Sequence, residues 1–203
     1  MKMNMNPMTD LDSANLIRCT ELEARLLRPQ VSFPEWLVDR SLPFTTFFRE
    51  GFLTSESFYR LLNQNVPKKE IVAMVVYVDY PVPIRRQVER DLSEAEWATW
   101  VQKMDNAIFW PVDGKAYVFA LSGGFVAYAE IDRPTIAYSA LPLRMTKDLG
   151  RQAIPLWEVP EDFQGSYFPN AHDDIDELVA LERRFRQNYL PESDAPWVYR
   201  RDG

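Results

Sequence analysis

The stretch from Ala107 to Ala140, AIFWPVDGKAYVFALSGGFVAYAEIDRPTIAYSA, constrains the fold more than any other. Aromatic and β-branched residues alternate there with three turn signals, which predicts an antiparallel meander. Asp113-Gly114 suits a two-residue turn with positive φ at both central positions, so Trp110 to Val112 and Lys115 to Leu121 are expected to pair. Ser122-Gly123-Gly124 marks a second reversal, after which Phe125 to Ile131 runs back, and Asp132-Arg133-Pro134-Thr135 marks a third. Along the middle strand Tyr117, Phe119 and Leu121 share one face and Val118 and Ala120 the other. Neither face is polar, so both need a covering layer.

Glu70 to Tyr80, EIVAMVVYVDY, is a near-continuous apolar run of strand length and reads as a central strand that ends at Pro81-Val82-Pro83. Helices are expected around it. Leu16, Cys19, Leu22 and Leu26 recur at helical spacing between Asp12 and Arg28, with Pro29 closing the run. Pro34-Glu35-Trp36 reads as the start of a short helix ending near Leu42-Pro43. Phe44, Phe47, Phe48, Phe52 and Phe58 form an aromatic cluster, and Thr54 or Ser55 caps a helix over Glu56 to Asn63. Ser93 and Glu96 make a capping box, with Leu92 and Trp97 as its hydrophobic staple and Trp100, Val101 and Met104 continuing the apolar face. Asp173 and Asp174 open a last helix carrying Ile175, Leu178, Val179, Phe185 and Tyr189, which Pro191 stops.

These elements describe one α+β domain over residues 1–203. It has an antiparallel sheet of four to five strands, the meander 107–140 plus strand 70–80, packed with N-terminal and C-terminal helices. Residues 1–10 are expected to be disordered, and 141–172, with four prolines and few helix signals, to be a long acidic loop-rich segment. The start MKMNMNPMTDLDSAN has no apolar core of a signal peptide, and no run reaches the roughly 20 apolar residues of a membrane helix. With a single cysteine, no disulfide within the chain is possible, and the reading is cytoplasmic.

Chemistry-bearing motifs are sparse. His172 is the lone histidine, so any Ser-His or Cys-His site would need it. It precedes Asp173, Asp174, Asp176 and Glu177 without an HExxH or paired Cys/His spacing, and neither a metal nor another cofactor is expected. Ser122-Gly123-Gly124 leads into a strand, where a phosphate loop would lead into a helix, and reads as a turn. Asp79, Asp113, Glu130 and Asp132 stand near strand ends with no spacing that joins them. Arg85, Arg86 and Arg90 form a small basic patch, and Cys19 reads as a small buried hydrophobe.

Charge gives the functional lead. The chain carries a formal −7, and Gln152 to Glu182 contains no Lys or Arg but eight carboxylates. Such a field repels nucleic acid and attracts basic surfaces, and no membrane partner is expected. Trp157, Phe163, Tyr167 and Phe168 interleave with Glu158, Glu161 and Asp162, and Asp173, Asp174, Asp176 and Glu177 follow. Aromatic anchors with steering charge are the composition of a protein interface. The reading is a binding or inhibitory protein that meets a basic partner, such as a nuclease-like toxin or a nucleic-acid-binding protein. It leans away from an enzyme. The alternative is a small enzyme or ligand binder with a pocket between the sheet and the Phe44–Phe58 cluster, using Asp79, Glu130, Tyr128 or Tyr138.

Overall fold

The computed structural model describes residues 8–48, 53, 55–77, 83–104, 114–130, 135–154, 175–189 and 199–201. It is an α+β structure built on an open antiparallel sheet. Six strands form its body: β2 (Phe44–Phe48), β3 (Val72–Tyr77), β4 (Ile84–Val88), β5 (Lys115–Ala120), β6 (Phe125–Glu130) and β7 (Thr135–Ser139). Two-residue strands, β1 (Met8–Thr9) and β9 (Ala153–Ile154), trim the edges, giving the order β1-β4-β3-β5-β6-β7-β2-β9. A separate parallel pair joins β8 (Leu143–Met145) to β10 (Tyr199–Arg201). The helices are α1 (Ser13–Leu26), α2 (Glu56–Asn65), α3 (Glu94–Met104), α4 (Lys147–Gln152) and α5 (Ile175–Tyr189).

The alternation expected of the meander organises both cores. Tyr117, Phe119 and Leu121 point to one face, joined by Ala73, Val75, Val126, Tyr128, Ile136, Tyr138 and Phe47. There α1 contributes Cys19, Leu22 and Leu26, and α5 contributes Phe185 and Tyr189. Ala116, Val118 and Ala120 point the other way with Val72, Met74, Val76, Ala127 and Ala137. The sheet is thin on this second face, so the covering helices bring the bulk: Phe58, Tyr59, Leu61 and Leu62 from α2 and Trp97 from α3. The Tyr59 and Trp97 rings stack at 5.1 Å.

Local signals set the helix starts. Asp12 caps α1 by accepting from the Asn15 amide at 2.8 Å, and Ser55 caps α2 by accepting from Phe58. The Ser93 box closes in both directions: the Ser93 amide donates to the Glu96 carboxylate at 2.8 Å, and the Glu96 amide donates to Ser93 Oγ at 3.2 Å. At the β5–β6 turn Gly123 has φ +81° and its amide donates to Ala120 O at 2.8 Å. A Cβ there would lie 3.2 Å from Arg25 Nη2 and 3.4 Å from Leu22 and Leu26, so glycine also lets α1 approach.

Several expectations are corrected. The sheet is wider than four to five strands because FTTFF, read as part of an aromatic cluster, and IRRQV, read only as part of a basic patch, are both strands. Both edges of β5 are occupied, by β3 and by β6, so the hairpin across Asp113-Gly114 is not what flanks this strand; Trp110 to Val112 lie outside the described residues. Met8 and Thr9, expected to be disordered, pair with β4. The expected loop over 141–172 begins instead with β8, α4 and β9. Leu16 and Val179, placed on buried stripes by spacing, are 42% and 46% exposed.

The helix expected from Pro34 does not form. The Phe33–Pro34 bond is cis, and residues 29–43 run as turns in which side chains take up the backbone carbonyls. Lys115 Nζ donates to Pro29 O at 3.0 Å and Val31 O at 2.7 Å, Asn188 Nδ2 to Pro34 O at 3.1 Å, and the Tyr189 hydroxyl to Glu35 O at 2.8 Å. Carbonyls satisfied from the sheet and α5 need no i+4 amide, so the segment is stable without helical bonds.

Candidate functional site

The acidic stretch is anchored at both ends beside β2. Ile154 and Ala153 pair with Phe47 and Phe48, and beyond the stretch Phe185 of α5 packs edge-on to Phe47 with centroids 5.8 Å apart. Asp176 and Glu177 fall in the first turn of α5. Trp157, Glu158, Glu161, Asp162, Phe163, Tyr167, Phe168, His172, Asp173 and Asp174 lie outside the described residues.

The Phe44–Phe58 group is divided by the sheet. Phe47 belongs to the first core, while Phe48 and Phe58 belong to the second, and Phe52 lies outside the described residues. Of the polar groups assigned to a pocket there, Asp79 is also outside them. The Tyr128 hydroxyl donates to the Glu130 carboxylate, which accepts from Ser32 Oγ at 3.0 Å. Tyr138 and Tyr189 share a hydrogen bond of 2.8 Å, and Trp36 stacks on Tyr189 at 4.9 Å. Burial holds the Tyr117, Tyr128, Tyr138 and Tyr189 hydroxyls far above the ordinary phenol range, so they stay neutral. Tyr128, Tyr138 and Tyr189 use theirs to tie the 29–43 segment to the sheet, while the Tyr117 hydroxyl is buried without a hydrogen-bond partner.

The three arginines expected to form a patch do three separate things. Arg85 makes a bidentate pair with Glu23 at 2.7 and 3.1 Å, and the same carboxylate accepts the Tyr77 hydroxyl at 2.6 Å. Arg86 reaches Asp10 at 3.3 Å. Arg90 is buried and closes the C-terminal end of α2, donating to Val66 O at 2.9 Å and Asn63 Oδ1 at 3.0 Å. Adjacent positions on a strand alternate sides, which is why Arg85 and Arg86 separate. Cys19 is fully buried, and burial followed by the Glu23 charge pushes its thiol up to about 11, the opposite of an activated nucleophile.

A cleft of about 450 Å³ opens at the end of the sheet, between the C-terminus of α2, the β5–β6 turn and the β7–β8 connection. Val66, Ala120, Phe125 and Leu143 give it an apolar lining, and Gln64, Glu70, Ser122 and Arg144 bring polar groups. The Asn65 carboxamide fixes one wall by accepting from the Arg144 amide at 2.6 Å and donating to Arg144 O at 3.0 Å. The Ser122 amide fixes another, donating to the Glu70 carboxylate at 2.7 Å. Three separated segments supply the lining, so no local motif announces it.

Among the described residues, no helix is long and apolar enough to cross a membrane, and no group of three or more His, Cys, Asp and Glu could hold a metal ion. No family model matches the sequence, and no significant match was found among curated proteins or solved structures.

Proposed function

We propose that this protein is a cytoplasmic binding or inhibitory protein that engages a basic protein partner through its acidic, ring-containing stretch. The observation that carries the reading is the charge segregation: eight carboxylates and no Lys or Arg over Gln152 to Glu182, with Trp157, Phe163, Tyr167 and Phe168 among them. Carboxylates steer a cationic surface into encounter, and rings supply desolvated contact once it arrives. Support also comes from the scaffold. Both sheet faces are covered by helices, and Ala153 and Ile154 at the start of the stretch and Phe185 just past its end all contact β2, a fixed base for a recognition segment.

The test is affinity capture from the native host followed by mass spectrometry, run in parallel with the variant Glu158→Lys/Glu161→Lys/Asp162→Lys. The wild type should retain basic proteins that salt elutes, and the variant should lose them. For a purified partner, the variant should associate about tenfold more slowly at low ionic strength, with a flatter salt dependence. Identical captured sets and identical association rates would refute this function.

A further inference from the structure

We propose that the cleft at the end of the sheet is a binding site for a small organic anion with an apolar body. Its volume of about 450 Å³ lies within the range of small-molecule sites. Val66 and Phe125 are 2% and 3% exposed and give it a dry floor, whereas Leu141 at the rim is 74% exposed. An apolar body entering the cleft would cover that side chain, which gains most when removed from water.

The sign of the ligand follows from the cations. Arg144 lines the cleft on an exposed side chain, with its backbone clamped by Asn65 and with no carboxylate partner among the described residues. Lys68 and Lys69, both exposed, sit in the turn between the lining residues Pro67 and Glu70. Among the described residues Glu70 is the single acid of the lining, and the Ser122 amide already occupies its carboxylate. Arg144 in the lining and two lysines in the adjoining turn, beside a lining acid that is already engaged, concentrate positive potential there in a chain of net −7. Gln64 Oε1 completes the recognition set, being buried without a hydrogen-bond partner. A ligand hydroxyl or amide N–H would satisfy it, and an unpaired buried acceptor is otherwise unfavourable.

Amide NMR titration of the whole protein at low salt tests this, with hexanoate as the probe and hexylammonium and 1-hexanol as matched controls. Hexanoate should shift the amides of Ser122, Gly124, Leu143 and Arg144 saturably, and should bind more tightly than either control. Arg144→Gln should weaken hexanoate about fivefold, as expected for losing a charge-assisted contact at a partly exposed site. Lys68→Glu/Lys69→Glu, which leaves the lining intact, should weaken it further, and the spectra themselves report that each variant is folded. Equal or tighter binding of hexylammonium would overturn the anionic assignment. Absence of saturable shifts at the cleft with all three probes would overturn the site. Neither outcome bears on the acidic stretch, none of whose described residues lines this cleft.

Discussion

Raising the pH should unfold this protein through its buried hydroxyls. Tyr59, Tyr117, Tyr128, Tyr138 and Tyr189 are at most 3% exposed, and burial pushes each above its ordinary pKa. A folded-state pKa raised above the unfolded value gives stability that is complete below the unfolded pKa, near 10 for tyrosine, and is lost as pH rises beyond it. At pH 11 an unfolded tyrosine gains about 1.4 kcal/mol by ionising while its buried counterpart gains almost nothing. The four with a large rise, Tyr117, Tyr128, Tyr138 and Tyr189, amount to about 6 kcal/mol. Cys19, raised to about 11, adds about 2–3 kcal/mol between its unfolded value near 8.5 and pH 11. The sum is comparable with the whole stability of a typical domain, about 5–15 kcal/mol. Tyrosinate absorbance at 295 nm and far-UV circular dichroism should therefore change together in one cooperative step above pH 10. Urea titrations at pH 8 and pH 11 should show the loss shrinking by about 1.4 kcal/mol in Tyr128→Phe. Tyrosinate appearing near pH 10 for all nine tyrosines, with the helical signal intact, would refute the argument.

Three further outcomes follow from particular contacts. Glu23→Gln and Arg85→Met each break a bidentate pair whose side chains are 12% and 18% exposed, and each should cost about 3 kcal/mol; the double variant should cost less than the sum by about 2 kcal/mol in a urea double-mutant cycle. Gly123→Ala combines a left-handed φ with Cβ contacts on Arg25, Leu22 and Leu26, and should lower stability by about 1–3 kcal/mol in the same assay. Tyr117→Phe removes a buried hydroxyl that has no hydrogen-bond partner, so it should be neutral or stabilising by up to about 1 kcal/mol in thermal unfolding, and a loss of more than that would contradict the assignment.

What the sequence made legible were features with a local cause. The two faces of β5 follow from side-chain alternation, and the starts of α1, α2 and α3 follow from Asp12, Ser55 and the Ser93–Glu96 box, each acting within four residues. Strands β2 and β4 were hidden for opposite reasons. Phe47 and Phe48 are buried on both faces, so FTTFF shows no alternation, while IRRQV lies near the sheet edge and carries the polar residues an edge tolerates. The 29–43 segment depended on Lys115, Asn188 and Tyr189, each dozens of residues away. The same holds for the cleft, assembled from α2, two turns and the start of β8. Only Gln64's unmet acceptor marks it, and that is a property of packing.

The uneven sheet has a last consequence. Because neighbouring residues of one backbone feed opposite interiors, Tyr117 into one and Val118 into the other, neither interior can loosen without disturbing the strand that serves both. Denaturation probed at Trp97 and at Tyr189, on opposite sides, should register a single shared transition, and shaving off either helical layer should bring down the whole molecule rather than leave a half standing.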